Sequence, residues 1–384
     1  GIATAYNRFY ILPEVYSVIP TSGTVGTIVT ISGTGYAAND SVTVGFGINA
    51  SIQTAMAGVY GSFTAMFTVD TQQYGTTTIT ATGIATAYNR FVILPEVVSV
   101  SPTKGTIGTI VTIACTGYAA GDVITVVFGI NANIQQAAAS VYGTFSTTFT
   151  VDTQSMGITT ITACGISRAS NVFEILPNVY EVIPTSGTVG TIVTIQGTGY
   201  AAGDQITVSF GTNANIQQTV VSSSGSFSTT FMVDTQEFGT TTITVIGVGT
   251  AANVFQILPE VVSVVPSYGT VGTIVTIAGT GFVANDSINI IFGLNFGIQT
   301  ANVSNYGTWT ASFTVDTQKY GSTTISAMGI VSAYNRYFIM PELYIVTPTR
   351  GTVGSMITVA GTGFVAMDTL NVAFGTNNSI HMMT

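Results

Sequence analysis

The sequence contains one histidine, His381, and two cysteines, Cys115 and Cys164. With no second imidazole, a Ser-His-Asp or Cys-His arrangement cannot be assembled within the body of the chain, so no catalytic residue and no enzymatic activity are expected. Carboxylates are the remaining route to chemistry. Asp40, Asp122, Asp204, Asp286 and Asp368 recur at one spacing, and Asp70, Asp152, Asp234 and Asp316 recur in a Val-Asp-Thr turn. Recurrence at equivalent places is what turn-capping Asp side chains would show. Glu14, Glu96, Glu260 and Glu342 each follow a proline, with Asn178 in the remaining equivalent place. A calcium ion wants about six to eight oxygens, usually from carboxylates close in sequence. No D-x-D run supplies them, so calcium at these four glutamates competes with plain solvated charge, and no other cofactor is expected. Asn39, Asn49, Asn285, Asn302 and Asn377 open N-x-S/T sequons and are the candidate glycosylation sites.

Composition limits what else the chain can do. Charged residues make up 6% of the 384 residues, with seven Lys and Arg against sixteen Asp and Glu, a formal net charge of −9 and a mean hydropathy of +0.53. No basic face is available to neutralise phosphates, which excludes nucleic acid as a partner. A hydrophobic content of 46% sets the chain apart from disordered sequences. Gly, Thr, Ser or Asn interrupts every apolar run before the ~18–20 residues a spanning helix needs, so no transmembrane segment is expected.

These residues are positioned by a repeat. Gly1-Ile2, Gly83-Ile84, Gly165-Ile166, Gly247-Val248 and Gly329-Ile330 open successive copies displaced by 82 residues without insertion or deletion. Within a copy, short runs of Val, Ile, Thr and Phe alternate with Gly, Asn, Asp and Pro, the pattern of an all-β fold. Seven strands are predicted in the first complete copy, over 15–19, 27–32, 41–46, 52–57, 62–69, 76–81 and 88–94, enough for a two-sheet sandwich. Alternation places Val29, Ile31, Ile79 and Ala81 inward and Ile28, Thr30, Ser32, Thr78 and Thr80 outward, so that Thr stands where most proteins carry Lys and Glu. Pro20-Thr21-Ser22-Gly23 and its equivalents read as a Pro-initiated turn ending in Gly. Leu12-Pro13, Leu94-Pro95, Leu176-Pro177, Leu258-Pro259 and Met340-Pro341 join one copy to the next with almost no slack, which favours a semi-rigid rod. The resulting division is 1–12 for the last strand of a preceding repeat, 13–94, 95–176, 177–258 and 259–340 for four complete repeats, and 341–384 for a partial fifth. That phase reads as a window on a longer array. The recurring segment Ala5-Tyr6-Asn7-Arg8-Phe9, which becomes Asn171-Val172 and Asn253-Val254 in two copies, reads as an outward strand position rather than a ligand site.

The stretch from Val18-Ile19-Pro20-Thr21-Ser22-Gly23 through Val29-Thr30-Ile31-Ser32-Gly33-Thr34-Gly35-Tyr36, followed by Val44-Gly45-Phe46-Gly47, resembles the IPT/TIG immunoglobulin-like domain family in all four complete copies and the partial fifth. The resemblance implies a tandem array of immunoglobulin-like sandwiches. It leaves function open, because such domains serve receptors, transcription factors, accessory modules of carbohydrate enzymes and microbial surface proteins. The basic loops through which the transcription-factor branch binds DNA are missing. Cys115 and Cys164 fall at the ends of the second and sixth strands of one copy, which correspond to the pair bridged across the sheets of antibody-like domains, and form a disulfide candidate. Strand parity opposes the bridge: Cys115 shares the inward face of Val111 and Ile113, Cys164 the outward face of Thr160 and Thr162.

The expected function is that of an extracellular or cell-surface structural protein whose repeats self-associate into a fibre, sheath or surface layer. Low charge, uncapped strand edges and the constant period favour repetitive protein contacts, with covalently attached glycans as a second way of covering the surface. Two alternatives stand beside it: the monomeric stalk of an adhesin, and a glycan-binding array using Tyr60, Tyr142 and Tyr306, for which the third repeat has Ser224.

Overall fold

A computed structural model describes Asn7 and residues 9–383. Most of the strand read at 1–12 lies outside the described residues, and residues 9–12 form no strand. The chain packs as two units, one of residues 1–178 with 198–203 and 221–226, the other of residues 179–197, 204–220 and 227–384.

The first repeat, in the first unit, sets the pattern. Its strands are β1 (Glu14–Ile19), β2 (Ser22–Gly23), β3 (Ile28–Thr34), β4 (Ser41–Phe46), β5 (Asn49–Met56), β6 (Phe63–Thr68), β7 (Gly75–Thr82) and β8 (Thr86–Ile93). They form a three-stranded sheet in the order β1-β3-β6 and a five-stranded sheet in the order β2-β8-β7-β4-β5. The same two sheets recur within residues 96–175, 178–257 and 260–339. Residues 342–383 carry two two-stranded sheets, Glu342–Thr347 with Thr358–Thr362 and Leu370–Phe374 with Asn377–Met383.

Seven of these strands are the predicted ones; the eighth is β2. The Pro-initiated turn does more than reverse the chain, because Ser22 and Gly23 pair in parallel with Val92 and Ile93. β5 also starts earlier than its hydrophobic run suggests. Gly47, at φ 53°, turns the chain tightly enough that Asn49 already pairs with Phe46, and the polar Asn49-Ala50-Ser51 hid that start.

Alternation sets the core. Val29, Ile31, Val42, Val44, Phe46, Ile79, Ala81, Phe91 and Ile93 are fully buried, and Phe46 contacts Phe67 and Phe91 at centroid distances of 5.1 and 5.7 Å. Burying each such large side chain contributes about 1.5–3 kcal/mol relative to leaving it in water. Tyr36 adds a hydrogen bond from its hydroxyl to Ala81 O at 2.8 Å.

Candidate functional site

The recurrent carboxylates are structural ties. Asp40 Oδ2 accepts the backbone N–H of Ile84 at 2.7 Å, 44 residues away, so it caps the β7–β8 turn rather than its own loop. Asp122, Asp204 and Asp286 hold Ile166, Val248 and Ile330 in the same way. Gly83 belongs to this tie, since a Cβ there would run into the Asp40 carboxylate. Asp70 accepts from Asn49 Nδ2 at 2.9 Å and from Gln72 Nε2 at 2.8 Å, and Gln72 is buried beneath Gly47. Asp152, Asp234 and Asp316 repeat this network with Asn131, Asn213 and Asn295.

A second set of ties closes the seams where the sheets meet. On one seam Gln53 Nε2 donates to Met66 O at 2.9 Å, repeated as Gln135 to Thr148 O, Gln217 to Thr230 O and Gln299 to Ser312 O at 2.8–3.1 Å. On the other, Asn89 Nδ2 donates to Val15 O at 2.7 Å, where the β1–β3 register shifts, and Asn171, Asn253 and Asn335 do the same for Val97, Val179 and Val261. An unpaired edge carbonyl invites another strand. One carbonyl on β6 and one on β1 are thus taken by side-chain amides, a local exception to the uncapped edges expected from the sequence. Sequence reasoning examined the Arg of the Asn7-Arg8 motif and missed the Asn, although the Asn is kept where the Arg becomes Val.

Consecutive repeats inside each unit meet through backbone. In the first unit Tyr74 N–H donates to Tyr118 O at 2.9 Å and Met156 N–H to Tyr200 O at 3.1 Å; in the second, Phe238 donates to Phe282 O and Tyr320 to Phe364 O, both at 3.0 Å. A main-chain donor tolerates the change of side chain from Tyr to Met to Phe. Two glycines make the approach possible. A Cβ at Gly143, at φ 72°, would sit 2.8 Å from Gln73 Cα, and one at Gly117 would run into Leu94 O. Leu94 N–H in turn donates to Gly23 O at 2.8 Å, tying the linker to the end of its own repeat.

In the three-stranded sheet charge is confined to β1 and its equivalents, at Glu14, Glu96, Glu181 and Glu260. β3, β6 and their equivalents hold no charged residue in any of the four sandwiches, while Ile28, Ile110, Ile192 and Ile274 stand 60–69% exposed at one position. Arg90, Arg168 and Arg336 lie on β8 and its equivalents in the other sheet.

Other sequence candidates are scattered. Glu14, Glu96, Glu260 and Glu342 begin strands opposite Thr34, Thr116, Thr280 and Thr362. Among the described residues no three His, Cys, Asp or Glu gather. Asn39 and Asn285 sit exposed at loop positions with φ 62° and 61°, and Asn302 and Asn377 are exposed on strands. Asn49 differs from them, because its Nδ2, the atom a glycan needs, is spent on Asp70. Cys115 and Cys164 are free thiols on different sheets. Cys115 is buried and burial pushes its pKa up to about 12, whereas Cys164 is half-buried on the outward parity, so the disulfide candidate is not formed here. Tyr60, Tyr142 and Tyr306 are exposed, with no aromatic partner to build a common platform at Ser224.

The strand order defines the class: a tandem array of immunoglobulin-like β-sandwich repeats, in which the A, B and E strands face a G-F-C-type sheet. No protein-family model matches the chain, and no curated protein matches it. Solved structures that match include a tetra-tandem repeat from the extending region of a large adhesion protein, 18% identical over 85% of this chain and 98% of that one, with a TM-score of 0.22. The bacterial integrin-binding protein invasin is 15% identical over 85% and 79%, at 0.22. The N-terminal eight Ig domains of Down Syndrome Cell Adhesion Molecule are 12% identical over 93% and 60%, at 0.20. At these values the assignment rests on the strand order of this chain. No helix of the described residues is long and apolar enough to cross a membrane.

Proposed function

We propose that the chain is an extracellular, cell-surface repeat protein of IPT/TIG type, without enzymatic activity, whose sandwiches set a fixed spacing and whose copies associate into a fibre, sheath or surface layer. The observation that carries this reading is the uncharged outer face of β3 and β6, kept with its exposed Ile in every complete repeat. Repeated bare patches of this kind suit protein contacts. Because amides occupy the seam carbonyls, association runs through these faces rather than by adding strands at the edges. Negative-stain microscopy of the purified protein across a concentration series tests the reading: ordered fibres or sheets support it, and single particles at every concentration overturn it.

The closed seams also favour a second reading, the non-associating stalk of an adhesin, which predicts the single particles. Glycans at Asn39, Asn285, Asn302 or Asn377 would cover surface in either case.

A further inference from the structure

The chain enters the first sandwich through β1 and leaves it through β8, and three hydrogen bonds join the entering segment to the leaving strand. Asn89 Nδ2 donates to Val15 O at 2.7 Å, Val92 N–H to Thr21 O at 3.0 Å and Leu94 N–H to Gly23 O at 2.8 Å. The partners ascend together, 15, 21 and 23 with 89, 92 and 94, so β1 and β2 run beside β8 in one direction, in keeping with the parallel pairing of β2 with β8. The set recurs in the other three sandwiches. Asn171, Asn253 and Asn335 donate to the carbonyls of Val97, Val179 and Val261. The N–H groups of Glu174, Gln256 and Phe338 donate to Thr103, Thr185 and Ser267 at 2.9–3.0 Å, and those of Leu176, Leu258 and Met340 to Gly105, Gly187 and Gly269 at 2.8–2.9 Å.

We propose that these bonds form a tension-bearing lock, and that resisting extension is a function of every complete repeat. Strands that run in one direction begin at one end and finish at the other. Tension on Pro13 and Pro95 therefore pulls the entering segment by its start and β8 by its finish, in opposite directions along the strands. The bonds lie across the strands, so all three are loaded at once instead of parting one after another. β1 belongs to the three-stranded sheet and β8 to the five-stranded one, so the lock also holds the two sheets together, and the rest of the sandwich is bypassed while it holds. Gln53 is the contrast: its bond to Met66 O ties β5 to β6, both off the path from entry to exit. Repeats joined in one chain carry the same tension whatever copies do to one another, so the inference does not rest on association.

Single-molecule force spectroscopy of the chain held by tags at its two ends tests this. At a clamped force the unaltered chain is expected to lengthen in four steps of roughly 25 nm, since about 82 residues at ~3.3–3.6 Å each replace one folded repeat. Asn89→Ala is expected to make one of the four steps about fivefold faster, the change for one lost hydrogen bond, with the other three as internal reference. Gln53→Ala, which removes a bond of the same kind off the loaded path, is expected to leave all four rates unchanged while lowering stability in denaturant. If only three steps remain in the alanine variant, Asn89→Asp replaces it, because it keeps the acceptor for Arg90 N–H and loses only the donor. Four unchanged rates in the Asn89 variant, or an acceleration by Gln53→Ala as large as that by Asn89→Ala, would overturn the proposal.

Discussion

Along the seams of the first sandwich, Gln53 and Asn89 each place an amide on a backbone carbonyl that another strand could have used. Across the outer face of β3 and β6 the side chains of Ile28, Thr30, Thr64 and Met66 carry no charge, although both regions are open to solvent. The contrast separates two kinds of surface in a repeat array with 6% charge, a seam with a polar tie and a face without one. Edge pairing is non-specific in register and runs toward aggregation, and a side chain kept in every complete repeat occupies one carbonyl on each of these edges. Face packing depends on side-chain shape and is left available.

That contrast can be broken by removing ties and sharpened by altering faces. The largest effect is expected from Asp70→Ala, which strands Asn49 Nδ2 and leaves the buried Gln72 Nε2 with only the longer bond to Phe46 O at 3.3 Å. Losing these two bonds should cost the first repeat about 2–3 kcal/mol, read by hydrogen exchange of its core strands, while Thr78→Ala on the outer face should stay within about 0.5 kcal/mol. Equal protection losses would erase the distinction between tied and bare positions.

Cys115 comes next. Its thiol titrates near 12 when folded, against an ordinary value of 9.0. The unfolded chain loses this proton first, so the contribution is fully present below about pH 9 and disappears as pH rises toward 12. The second repeat should therefore lose on the order of 1 kcal/mol at pH 10, and Cys115→Ala should flatten that dependence in chemical denaturation. In the native protein a thiol reagent should modify Cys164 well before Cys115, and comparable rates would mean the second core opens readily.

Gln53→Ala should cost about 1 kcal/mol and, by freeing Met66 O, raise irregular association seen by light scattering. An unchanged scattering signal would show that the amide does not guard the edge. The smallest stability effect belongs to Ile28→Lys combined with the same change at Ile110, Ile192 and Ile274: within about 0.5 kcal/mol per site, but with no ordered assembly in negative-stain microscopy under conditions where the proposed assembly of the unaltered chain is expected. Assembly that survives four lysines would move the contact to another face.

Much of this was legible in the 82-residue period. Alternation marked Val29, Ile31, Ile79 and Ala81 as core, and parity separated Cys115 from Cys164, because a strand sends successive side chains to opposite sides whatever lies beyond it. The two-residue strand β2 was missed because it is too short for any periodicity. The partners of Asp40 and Asn89 were missed because they lie 44 and 74 residues away. Asn49 passed as a sequon for the same reason: its neighbours in sequence satisfy the motif, and the carboxylate that occupies its amide is 21 residues on.

The sequence by itself determined the period, the all-β class, the inward face of each strand and the scarcity of charge, since these follow from residue order and local steric preference. Only the tertiary structure decided what the polar residues do. A carboxylate or amide acquires its role from whichever donor or carbonyl the closed sandwich brings within about 3 Å, and that distance is set by sheets whose strands are far apart along the chain.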